Sequence, residues 1–299
     1  VNAGTDVWVE RHGRLERVSV EITVPEVEQL VRRMASAAGR RIDRSTPAVE
    51  VRLADGSRMH AVLPPLAIDG PCMTIRRFGT IRHDLTDLAD GPAVEILVAA
   101  VRARASIVVA GGTSSGKTTL LNALCAHLPS GERVITIEDA AELQLPGEHV
   151  VRLETRSATE GAAAVGFRGL VRQALRMRPD RIICGETRGP EALDLVQAMN
   201  TGHPGSMTTL HANGAVDAMR RIETMMLTAD ADLPLRAIRE QLVSCVDLAV
   251  ITKRLEDGSR AVVEIAEVPN ECRDTWALRT LFAGGASACE PQRPWGHGR

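Results

Sequence analysis

The chain has no tyrosine, and its aromatic fraction is 2%. A core must then be built from Val, Ile, Leu, Ala and Met, and little is left for stacking on bases, which excludes recognition of single strands by aromatic platforms. Lysine is nearly absent as well: of 36 basic residues only Lys117 and Lys253 are lysines. Each is worth inspecting as a position that needs a compact ammonium, where arginine's wider fork would not substitute. Long apolar runs are missing. AVEILVAAV at 93–101 is among the longest, far below the ~20 residues that span a bilayer. No signal-peptide pattern opens the chain, so a cytoplasmic protein is expected. The six cysteines (Cys72, Cys125, Cys184, Cys245, Cys272, Cys289) are scattered without C-x-x-C spacing, which fits reduced thiols better than a zinc site or disulfide framework. A net charge of −2 gives no global attraction to nucleic acid or anionic membrane. Direct sequence-specific nucleic-acid binding is not expected.

What is present is enough for two domains of ordinary size, each with its own core: 299 residues, 44% hydrophobic and 25% charged. VWVERHGRLERVSVEITV alternates apolar and polar around His12-Gly13 and reads as a β-hairpin. VPEVEQLVRRMASAAG follows as a helix with proline in its first turn and Gly39 at its end. A second hairpin turns at Asp55-Gly56, and MTIRRF at 73–78 gives a further strand. Residues 1–80 therefore predict a small α+β domain, and the polar stretch 81–92 a linker. Over 93–283, helical segments alternate with β-branched runs (IVVAG, VITIE, RIICGE, SMTTLH, DLAVITKRL), the pattern of a mostly parallel sheet covered by helices. The stretch 284–299 has no apolar period and reads as a disordered tail.

One motif dominates the second domain. Gly111-Gly112-Thr113-Ser114-Ser115-Gly116-Lys117-Thr118-Thr119 follows the strand SIVVAG and opens a helical pattern, the context of a Walker A phosphate-binding loop. Glycines let backbone N–H groups curl around phosphate oxygens, the helix N-terminus adds its positive end, Lys117 reaches the outer phosphates, and Thr118 offers a hydroxyl to Mg²⁺. ATP and Mg²⁺ are the implied ligands. Downstream, VITIEDAAELQL sets Glu138, Asp139 and Glu142 at the end of an apolar run, and RIICGETRG ends a buried-type strand at Glu186. Ligands gather at the carboxyl ends of parallel strands, so both acidic groups are expected near the phosphates. One carboxylate to hold Mg²⁺ and one to orient water is the minimum that hydrolysis asks of such a loop. Glu142 also reads as a solvated helix-start carboxylate.

NTGHPGSMTTLHAN at 200–213 contains His203 and His211. Pro204-Gly205 fits the centre of a type II turn, and SMTTLH then reads as a strand. Five strand residues cover about 17 Å, so the two imidazoles do not share a metal. Each reads either as a hydrogen-bonded structural histidine or as a donor toward nucleotide or catalytic carboxylate.

In this order, GGTSSGKTT, VITIEDAAELQL, ALRMRPDRIICGETRG and TGHPGSMTTLHAN resemble the Walker A, Asp box, Walker B and His box of the type II/IV secretion ATPase superfamily. DGSRMHAVLPPLAIDGPCMTIRRF and RLEDGSRAVVEIAEV are most similar to its CpaF-like branch, which serves Tad/Flp pilus assembly and conjugal-transfer loci. The resemblance runs from about residue 5 to about residue 270. It implies a RecA-like P-loop ATPase domain preceded by the smaller domain, a homo-hexameric ring, ATP held between the two domains, and work on an inner-membrane platform protein from the cytoplasmic face. It implies Glu142 as general base, Glu186 and Thr118 as Mg²⁺ holders, and Arg76 or Arg77 on the phosphates. It further implies sensing roles for His211 and His203 and for the arginines Arg152 and Arg156. Against this branch the chain reads as short at both ends. The function expected is an ATP-driven motor for pilus assembly or export. A conjugation ATPase and a nucleotide-dependent scaffold without turnover are the alternatives.

Overall fold

A computed structural model describes residues 1–11, 14–77, 83–156, 163–229, 232–292 and 295–296. It divides into two units, Val1–Thr80 and Ile81–Arg299. The His12-Gly13 turn and the first two residues of the predicted linker lie outside the described residues.

In the first unit β1 (Val7–Arg11) and β2 (Arg14–Val18) pair antiparallel, Val7 opposite Val18. Helix α1 (Val24–Ala37) begins where Glu26 reaches back to the backbone N–H of Thr23, at 2.8 Å, and Pro25 fits the first turn. Val27, Val31 and Ala35, spaced by four, form its buried stripe. That stripe shares a core with Val49, Val51, Met59, Ala61 and Met73. These come from an antiparallel sheet of β3 (Ala48–Arg52), β4 (Arg58–Val62) and β5 (Cys72–Arg76). Alternation along β3, with Val49 and Val51 inward and Glu50 outward, follows the period of two.

The second unit is built on one nine-stranded sheet. Its elements in chain order are α2 (Gly91–Arg102), β6 (Ile107–Gly111), α3 (Lys117–Cys125), β7 (Val134–Glu138) and β8 (Val150–Glu154), then α4 (Phe167–Leu175), β9 (Arg181–Cys184) and α5 (Glu191–Asn200). They continue with β10 (Met207–Leu210), α6 (Ala215–Leu227), α7 (Leu235–Cys245), β11 (Leu248–Arg254), β12 (Arg260–Glu267), β13 (Arg279–Ala283) and β14 (Ala286–Ser287). Strand order is β14-β13-β12-β11-β6-β10-β9-β7-β8. Strands β6 to β11 are parallel, and β12 to β14 extend one edge antiparallel. Two cores cover the faces. Leu97, Val101, Leu120 and Leu124 of α2 and α3 pack with Ile107 and Val109 on one side. Ile135, Ile137 and Ile182 pack with helices α4 to α7 on the other. Strands covered on both faces are continuous apolar runs, and IVVAG is buried throughout.

Two expectations differ from the structure. The predicted linker carries a short 3-10 helix, Leu85–Asp87, with Leu85 and Leu88 buried, and α2 begins at Gly91. Two apolar residues in a polar stretch leave no periodic signal, yet they suffice to seat it. The predicted disordered tail contains β14, and Trp295 is buried with its indole N–H donating to Glu267 at 3.2 Å. That anchor is a single side chain, invisible to composition.

Candidate functional site

β6 ends at Gly111, and the loop 112–116 turns the chain into α3. The turn needs left-handed backbone: Gly116 has φ of +93° and Ser114 φ of +59°. Gly111 is glycine for space. A Cβ there would stand 2.4 Å from Ser115 Oγ and 2.4 Å from the carbonyl oxygen of Thr252. Ser115 Oγ and Thr252 Oγ1 lie 3.0 Å apart, and Arg260 Nε donates to the Ser114 carbonyl at 3.1 Å, so β11 and β12 hold the loop from outside. Gly112, Thr113 and Ser114 face solvent, Ser115 and Lys117 are buried, and Thr118 and Thr119 are half-buried in the first turn of α3.

Lys117 Nζ donates to the carbonyls of Gly111 at 3.1 Å and Gly112 at 2.8 Å, and lies 3.4 Å from His211 Nδ1. The ammonium is thus desolvated within the loop, where an anion is its natural further partner. An acceptor role for Nδ1 leaves the proton on Nε2, which stands 3.0 Å from Glu186 Oε1. That approach lacks hydrogen-bond alignment, and Oε1 is buried with no bonded partner. Burial, then the Lys117 charge, hold the His211 pKa below its ordinary value, against the pull of Glu186, so the imidazole is neutral near pH 7.

Glu186 follows β9. Thr209 Oγ1 donates to the Gly185 carbonyl at 2.6 Å and the Thr187 N–H donates to the Thr209 carbonyl at 2.8 Å, fixing the residue between β9 and β10. Its second oxygen accepts from Arg188 Nη2 at 2.6 Å. Burial disfavours its charge, but the Arg188 hydrogen bond and the charges of Arg188 and Lys117 outweigh it and keep the carboxyl below the ordinary range. An ionised, half-buried carboxylate with one buried, unsatisfied oxygen is a hard-cation ligand, so Glu186 fits Mg²⁺.

The acidic segment after β7 is pinned from three elements. Glu138 Oε1 accepts from the N–H groups of Glu142 and Leu143, each at 2.8 Å. On β8, Glu154 accepts from the Ala141 N–H at 3.0 Å and Arg152 Nη2 donates to the Ala141 carbonyl at 3.0 Å. Asn122 of α3 accepts from the Gln144 N–H at 2.8 Å. Glu142 itself is half-buried.

A strand-loop-helix turn with a buried lysine and acidic groups at the ends of neighbouring parallel strands now stand together on a mixed nine-stranded sheet. The family profile described as "Type II/IV secretion system protein" matches residues 1–294. The chain belongs to that family. It is 41% identical over 279 residues to a putative conjugal transfer protein of Mycobacterium tuberculosis, covering 89% of this chain and 79% of the relative. It is 36% identical to the conjugal transfer protein TrbB of Rhizobium radiobacter, covering 87% and 80%. Among solved structures, the VirB11 ATPase of the Brucella suis type IV secretion system is 30% identical, with a TM-score of 0.54 over 89% of this chain and 88% of that one.

Within this secretion-family fold the predicted residues fall into groups. Lys117, His211 and Glu186 come into one chain of contacts at the ends of β6, β9 and β10. Arg152 holds the Ala141 backbone. Arg156 Nη2 donates to the Ala163 carbonyl at 3.1 Å, within its own segment. His203 sits at the opposite end of β10 from His211; its Nδ1–H donates to the Ala198 carbonyl at 3.0 Å, and Ser206 Oγ donates to its carbonyl at 2.8 Å. Arg76 ends β5, Arg77 follows it, and both are exposed in the first unit. Sequence reasoning gave no role to Arg188, which lies two residues past Glu186, or to Asn122 and Thr252. Asn122 and Thr252 act through contacts of long sequence separation, which no spacing encodes, and Arg188 makes a local contact with Glu186 that carries no motif of its own.

Proposed function

We propose that the protein is an Mg²⁺-dependent ATPase that powers transfer of macromolecules through a type II/IV secretion machine. The observation that carries this is the Lys117–His211–Glu186 chain: a loop lysine desolvated among backbone carbonyls, connected through His211 to a carboxylate whose buried oxygen accepts no hydrogen bond. In this reading the loop 111–119 holds the phosphates, and Lys117 leaves the Gly111 and Gly112 carbonyls for the outer phosphate oxygens. Glu186 and Thr118 would hold Mg²⁺, which would supply positive charge to neutralise the phosphates. Glu142 accepts the proton of the attacking water. His211, neutral, reports occupancy from Lys117 to Glu186, and an arginine of the first unit, Arg76 or Arg77, adds positive charge to the phosphates.

The ring of six, the inner-membrane platform and the cytoplasmic location belong to the same proposal. Among the described residues no helix is long and apolar enough to cross a membrane. Relatives named for conjugal transfer favour a conjugation-type role over pilus assembly. Turnover of purified protein with Mg²⁺ and ATP tests the core of the reading, and Glu142→Gln is expected to lower it about a hundredfold or more. Full turnover in that variant, or none in the wild type at any protein concentration, would overturn it. Gene neighbours decide the role: relaxase genes support conjugation, and prepilin with platform genes support the pilus.

A further inference from the structure

Glu138 is the carboxylate that the catalytic scheme leaves unused. It ends β7, its side chain is 2% exposed, and it occupies the space that a side chain on Gly185 would need, since a Cβ there would stand 2.9 Å from Glu138 Cγ. One oxygen accepts the two N–H bonds from Glu142 and Leu143, while the other is buried without a bonded partner. A buried carboxyl is costly to keep, and a methyl-sized apolar residue would fill a strand end at lower cost. What it holds offsets that cost. Two adjacent amides, one of them belonging to Glu142, converge on a single oxygen, so Cα of Glu142 is set by the position of Oε1.

We propose that Glu138 is a positioning residue for hydrolysis: its carboxyl oxygen fixes the backbone from which Glu142 reaches the attacking water. The proposal rests on the reading of Glu142 as the base. Arg152 and Glu154 on β8 and Asn122 on α3 grip the flanking peptides at Ala141 and Gln144. Asn122 lies in α3 with Thr118, so the same loop is tied to the phosphate-binding helix. Glu138 differs from these in holding the Glu142 peptide itself. Its requirement is for an acceptor at a set distance and not for charge, because the amides need only a carbonyl-type oxygen.

Two variants separate reach from charge. Glu138→Gln keeps an acceptor at the same reach and removes the charge; Glu138→Asp keeps the charge and withdraws the oxygen by one methylene. For Asp, kcat is expected to fall about tenfold to a hundredfold, as misplacement of about 1 Å costs, with ADP affinity and KM for ATP changed less than about twofold. Gln is expected to stay within about threefold of wild type in kcat. Amide hydrogen exchange of the peptide spanning 141–145, measured without turnover, is expected to speed up in Asp and to match wild type in Gln. The reverse order, with Asp active and Gln impaired, would overturn the proposal, as would unchanged exchange in Asp. Turnover retained in Glu142→Gln would instead remove the reading of Glu142, and the exchange data would still report whether Glu138 holds the loop.

Discussion

Lys117 is buried by its own loop, and its ammonium already meets two carbonyls and an imidazole. Replacing His211 by Ala removes the imidazole that stands between Lys117 and Glu186 while leaving the carbonyls in place. ATPase activity is expected to fall about tenfold or more, and full activity would end the sensing role. At Glu138 the charge is what burial penalises: it pushes the pKa up from 4.5 to about 7, against the Leu143 and Glu142 N–H bonds and the Arg152 charge. Between these values the folded chain holds a proton that the unfolded chain has released. The stability this group contributes is therefore full below pH 4.5 and lost as pH rises through about 7. Urea unfolding at a series of pH values is expected to show that loss, at most about 3 kcal/mol, and Glu138→Gln is expected to flatten it.

Among elements, the approach of β11 to the loop 112–116 leaves no room for a side chain on Gly111. Gly111→Ala forces either the loop or β11 to move. A loss of about 1–3 kcal/mol in chemical denaturation is expected, together with weaker binding of nucleotide in titration. β9, which delivers Glu186, is fixed at its start by Arg181, fully buried, which donates to Glu132 at 2.6 Å and to the Val101 carbonyl at 2.9 Å. Arg104 meets the same Glu132 at 2.7 Å. Arg181→Ala empties a buried volume and breaks a buried pair, so global stability is expected to fall by about 3–5 kcal/mol. The strands themselves were legible: IVVAG, VITIE and RIICGE are apolar runs bounded by turn residues, and each is a buried parallel strand. The antiparallel edge was not, because β13 and β14 follow a stretch without period.

For the whole molecule, turnover should depend on assembly. If the active unit is a ring, activity per chain is expected to rise with protein concentration and then level off, in step with the mass measured by light scattering. A flat profile from a monomeric species would count against the ring.

The sequence by itself determined the glycine-rich turn between β6 and α3, the order of the acidic and histidine segments behind it, and the alternation that makes a mostly parallel sheet. Those features are local: a glycine spacing, a strand bounded by turns, a carboxylate at a strand end. Tertiary structure alone decided which of them meet. Residues 117, 186 and 211 come together because β6, β10 and β9 lie side by side, each strand ending on the same edge. The pairing of β8 with β7 likewise brings Arg152 to a loop carbonyl, whereas the separation of His203 from His211 along β10 and the hold of Glu138 on the Glu142 peptide are local. Spacing along a chain fixes what a strand end can carry, and strand order fixes what that end can touch.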